Sequence, residues 1–80
     1  MNFLFSKTVM AKQGKCIYKL YEFKLAPGHY HAELVSHRSS RSITQMNFKK
    51  ENGRWLTSSR SKEAKMLAEI LGTAIDRSRN

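Results

Sequence analysis

Eighty residues, with fifteen Lys and Arg against six Asp and Glu, carry a formal charge of +9, which leaves room for one small domain whose surface repels itself unless an anion is near. Cys16 is the one cysteine, so an intramolecular disulfide is excluded and a reducing compartment, the cytoplasm, is expected. No apolar run reaches the about 20 residues of a membrane span, and the run from Met1 to Phe5 is shorter than a signal-peptide core of roughly 7 to 15, so the chain reads as soluble, with no membrane partner.

The first nine residues read as a weakly structured leader, because Met10-Ala11-Lys12 can itself be a translation start. An edge strand through Val9, over Lys7 to Ala11, is the alternative for the end of that segment. Cys16 to Leu25 is rich in aromatic and β-branched residues and lacks helical spacing, which predicts a strand. Its alternation shifts partway: Cys16, Tyr18 and Leu20 share one face while Tyr21, Phe23 and Leu25 share the other, implying a bulge or burial on both sides. Cys16 reads as a half-buried strand residue with no reactive role.

Pro27-Gly28 marks a turn. Beyond it Tyr30, Ala32 and Leu34 alternate with His31, Glu33 and Val35, a second strand forming a hairpin with the first. His37 to Ser42 holds no apolar residue and reads as a loop. Thr44, Met46 and Phe48 then alternate with Gln45, Asn47 and Lys49, and Asn52-Gly53 supplies the positive-φ pair of a tight hairpin turn. Arg54 to Thr57 is the returning strand. Ser61 is a good N-cap for a helix beginning at Lys62. Ala64, Leu67, Ala68, Leu71 and Ile75 recur at three- and four-residue intervals, Met66 and Ile70 widen that stripe, and Gly72 weakens its far end. The segment from Asp76 onward is expected to fray, with 77–80 as a loose tail.

These elements predict a single α+β domain over 1–80, an antiparallel β-sheet of three to five strands with one C-terminal α-helix packed on one face, in the order β-β-β-β-α. A helix of about 15 residues is roughly 22 Å long and shields only one side of such a sheet. The other side is where a ligand is expected.

If Tyr30, Ala32, Leu34, Met46, Phe48 and Trp55 face the helix, then His31, Glu33, Gln45, Asn47, Lys49 and Arg54 face away, joined by Lys19 and Tyr21. An aromatic ring among cations suits base stacking, while packing of Tyr21 on Phe23 or in a dimer seam is the structural alternative. Two loops, Arg38 to Ser42 and Ser58 to Lys62, combine hydroxyls with guanidinium groups, a pairing suited to phosphate. The second runs into a helix N-terminus, although ordinary capping with solvated charge explains it more simply. The nucleic-acid-binding set is therefore Lys19, Tyr21, Arg38, Arg41, Lys49, Arg54, Arg60 and Lys62.

His29 and His31 lie on one side of a strand about 6.5 Å apart, but a third ligand is missing, so neither a metal nor another cofactor is assigned. His31 and Glu33 are expected to form a local ion pair. No nucleophile-base constellation, glycine-rich phosphate loop or dinucleotide fingerprint is present, and the chain reads as a binding module and not an enzyme. Phe5-Ser6-Lys7, Val9, Gly14, Tyr18 and Tyr30, followed by strands and one terminal helix, resemble PUR-type repeats, which implies binding of single-stranded nucleic acid. The Asn52-Gly53 hairpin and Trp55 lie outside that pattern, and the likeness is one of topology. The leading expectation is binding of single-stranded DNA or RNA. The alternative is a protein-interaction module, either a homodimer through the open sheet or an accessory protein of the phage or mobile-element kind that docks on an acidic protein partner.

Overall fold

The structure, a computed structural model, describes residues 1–11, 14–36 and 43–79. Five strands precede one helix: β1 (Asn2–Ala11), β2 (Gly14–Glu22), β3 (His29–Ser36), β4 (Gln45–Glu51), β5 (Arg54–Thr57) and α1 (Lys62–Ser78). All neighbouring strands pair antiparallel, and their order in the sheet is the order of the chain. This is the expected α+β architecture, with β1 as a full fifth strand. Among the described residues no helix is long and apolar enough to cross a membrane.

Local chemistry accounts for the turn and the cap. Asn52 (φ 53°) and Gly53 (φ 76°) both adopt left-handed backbone, which matches the twist of the strands they join. Ser61 caps α1, its Oγ accepting from the Ala64 N–H at 3.0 Å. The strand expected over Cys16 to Leu25 instead ends at Glu22. Beyond it the Ala26 N–H reaches the Phe23 carbonyl and the His29 N–H reaches that of Ala26, and Leu25 is 99% exposed. Tyr21 is still in β2, half-buried on the face away from α1, and the turn begins only beyond Glu22. Register does shift between Ile17 and Tyr18 against β3, and between Phe3 and Phe5 against β1.

The segment expected to be a leader is β1. It pairs with β2 from Asn2 opposite Glu22 to Ala11 opposite Gly14. A strand whose partner lies a hairpin away gains its stability from that ladder, and its own composition does not announce it.

One layer of apolar side chains fills the space between sheet and helix. Val9, Cys16, Tyr18, Leu20, Tyr30, Ala32, Met46 and Phe48 meet Ala64, Leu67, Ala68, Leu71 and Ile75 there. The Tyr18 hydroxyl donates to the Ile43 carbonyl at 2.9 Å, and burial, with a smaller contribution from Cys16, pushes the phenol up to about 12. Met66 and Ile70 do not widen the buried stripe: both stand largely exposed on the flank of α1. Gly72 is buried, and a Cβ there would overlap the Trp55 ring. It is a notch for the indole and not a weak point at the end of the helix.

The expected frayed tail is tied down. Asp76 accepts from Lys50 Nζ at 2.8 Å and from Trp55 Nε1 at 3.1 Å. Arg79 donates to the Tyr30 hydroxyl at 3.1 Å and to Glu22 Oε1 at 2.8 Å. These partners lie on four strands, so the end of α1 is anchored by contacts remote in the chain. Asn80 lies outside the described residues.

Candidate nucleic-acid interface

Residues opposite one another in an antiparallel ladder share a face. With Tyr30, Ala32, Met46 and Phe48 buried under α1, residues of the other parity point to the uncovered side. Register then assembles a transverse row across four strands, in which Phe3 stands opposite Tyr21, Tyr21 opposite His31, and His31 opposite Asn47. Phe3 and Tyr21 meet edge to face, with centroids 5.6 Å apart and planes at 64°. Tyr21 and His31 follow at 6.3 Å and 43°. The row closes on a hydrogen bond of 2.6 Å between His31 Nδ1 and Asn47 Oδ1. Phe3 is 55% exposed, and Tyr21 and His31 are half-buried.

Cations flank this row. One pleat repeat away, about 7 Å, Lys19 stands opposite Glu33, which stands opposite Gln45. On the other side His29, Lys49 and Leu56 form a parallel row, extended by Phe23, whose N–H donates to the His29 carbonyl at 3.0 Å. Lys49 Nζ pairs with Glu51 Oε2 at 2.9 Å. That hydrogen bond and the lysine charge hold the Glu51 carboxyl below its ordinary range, with a smaller contribution from His29. Arg54 stands opposite Glu51 on the edge strand.

Of the residues expected to bind nucleic acid, Lys19, Tyr21, Lys49 and Arg54 share this face. Arg60 and Lys62 are exposed, but they lie in the connection to α1 and at its first residue, outside the register that builds the row. The hydroxyls beside them are engaged locally: Ser59 Oγ accepts from the Ser61 N–H and Ser61 Oγ caps the helix. Arg38 and Arg41 lie outside the described residues.

Tyr21 packs on Phe3 and His31, and not on Phe23. His31 takes Asn47 as its partner, in place of the ion pair anticipated with Glu33. Phe3, Phe23, His29, His31, Asn47 and Leu56 were absent from the expected set. The signal for His31 and Asn47 was their parity. Phe3 had none, because its place depends on a β1 register that only the paired strand supplies.

No family model, curated protein or solved structure matches this chain.

Proposed function

We propose that this chain is a non-enzymatic module that binds single-stranded nucleic acid on the uncovered face of its sheet. The observation that carries the reading is the Phe3, Tyr21, His31 row with cations to either side. Exposed rings stack on the π-faces of unpaired bases whatever their sequence. Lys19, Lys49 and Arg54 stand where a backbone crossing that row would present phosphates. Duplex keeps its base faces stacked within, so a ring row favours single strands.

Self-association through the same face is less well supported. Its exposed apolar side chains, Phe3, Met10, Val35 and Leu56, are interrupted by charged and polar ones instead of forming one patch. Two copies of a +9 chain would also meet with like charge.

Fluorescence anisotropy with labelled single-stranded and duplex oligonucleotides tests the proposal. Single strands are expected to bind more tightly, and Tyr21→Ala is expected to weaken binding by about tenfold, in keeping with the loss of one base stack. No binding at low salt, or a Tyr21→Ala variant indistinguishable from the parent chain, overturns it.

A further inference from the structure

The three rings of the open face are close neighbours but are not parallel. Phe3 and Tyr21 are inclined at 64° with centroids 5.6 Å apart, and Tyr21 and His31 at 43° and 6.3 Å. We infer that this row binds its strand splayed, one base to a ring with neighbouring bases unstacked, and so takes weakly stacking thymine or uracil runs in preference to adenine runs. The inference rests on the single-strand reading above. It adds a strand conformation and a substrate class, which ring contacts indifferent to sequence do not give.

Bases stacked within one strand are parallel and rise by about 3.4 Å from one to the next. Two bases lying flat on rings inclined at 64° are inclined to each other by the same angle, so they cannot keep a common stack. The spacing of the rings is also well above that rise. Contacts at both ends of the row favour this inclination. Edge-to-face contact is a preferred arrangement for an aromatic pair, which sets Phe3 against Tyr21. At the other end the contact of 2.6 Å between His31 Nδ1 and Asn47 Oδ1 orients the imidazole. The Thr57 hydroxyl donates to the Asn47 carbonyl at 2.9 Å and fixes β4 at this position.

Opening a strand costs the stacking between its own bases, and that cost depends on which bases they are. Adenine neighbours overlap two bicyclic rings and lose most, whereas thymine or uracil neighbours overlap little and lose least. A base on a phenyl, phenol or imidazole ring regains less than two adenines give up, because the protein ring is the smaller partner. A strand that kept its own stack would show the opposite order, since adenine lays the larger surface on whichever ring it meets. The sign of the preference therefore separates a splayed strand from a stacked one. Phosphate contacts cannot create this difference, because they are common to every sequence.

Anisotropy titrations with oligodeoxythymidine and oligodeoxyadenosine of equal length, at one salt concentration, are expected to give about tenfold tighter binding of oligodeoxythymidine. Circular dichroism in the base-absorption band reads the strand itself. Stacked adenines give a paired positive and negative band there, and saturating an adenine tetranucleotide with the chain is expected to cut that signal by more than half. Phe3→Ala combined with His31→Ala leaves Tyr21 alone, on which one base can rest while its neighbours stay stacked, so the thymine preference is expected to vanish or invert. Far-ultraviolet dichroism checks that this variant folds, and the tetranucleotide signal is read on the parent chain without it. The inference is overturned if adenine runs bind the parent chain as tightly as thymine runs, if the adenine bands survive saturation, or if the folded double variant keeps the full preference. In each of these cases, binding that still responds to Tyr21→Ala leaves the single-strand reading standing. Failure of both oligomers to bind removes the two readings together.

Discussion

At position 72 helix propensity and packing point in opposite directions. In an open helix Gly→Ala gains about 1 kcal/mol, but here the added methyl would enter the Trp55 ring. The indole cannot simply retreat, because Tyr30 and Phe48 stand behind it at centroid distances of 5.4 and 5.7 Å and its N–H is held by Asp76. Gly72→Ala is therefore expected to destabilise by about 1–3 kcal/mol, the usual scale of overpacking, as a lower urea midpoint followed by tryptophan fluorescence or far-ultraviolet dichroism. In a Trp55→Leu background the sign should reverse, and the same substitution should be neutral or stabilising. A gain in the parent chain would show that the notch is not filled as described. The residue was legible as a glycine in a helix. Its purpose was not, because sequence spacing says which residues share a helix face and nothing about the side chain that arrives from a strand.

The same divide between local and remote chemistry runs through the elements. The Asn52-Gly53 turn and the Ser61 cap were readable because each depends on residues within a few positions of itself. The anchorage at the end of α1 was not, since Lys50, Trp55, Glu22 and Tyr30 come from four strands. Asp76 gives that anchorage a pH signature. Its hydrogen bond from Lys50 holds its carboxyl below the ordinary range against the opposing effect of burial, with a lesser contribution from the Trp55 N–H. A carboxyl whose value is lower folded than unfolded adds stability above the unfolded value, near 3.9, and loses it as pH falls through the folded one. Both ion-pair partners are about two-fifths exposed, so solvent screening keeps the contribution small. Asp76→Asn is expected to cost about 1 kcal/mol at neutral pH, as one exposed ion pair and one altered hydrogen bond allow. The gap between variant and parent should close as pH falls below the unfolded carboxylate value. A gap that persists undiminished in acid would place the loss in packing and not in charge.

For the molecule as a whole, one helix against five strands leaves a two-sided object: one face dry, the other facing solvent. That asymmetry was legible from alternation and helix length alone, and so was the presence of Lys19, Tyr21, Lys49 and Arg54 on the open side. The ring row was only half legible, because parity assigns a residue to a face while register decides which residues become neighbours across it. Charge obeys the same division. The total of +9 is large, yet Lys65 and Arg77 sit exposed on α1 while Lys19, Lys49 and Arg54 bracket the row, so net charge and site charge make different predictions. On the proposed reading a single strand lying across the row would meet three cations, and at about 0.7 counterions released per contact the logarithm of affinity should fall with the logarithm of salt at a slope near −2. Binding through diffuse charge would fall far more steeply. Replacing Lys19, Lys49 and Arg54 together by Gln should flatten the slope nearly to zero. Lys65→Gln with Arg77→Gln removes two positive charges from the helix and should leave the slope unchanged. If the helix pair flattens it as much as the sheet triple does, the sheet face has no special part in holding the strand and the cations act only as a cloud.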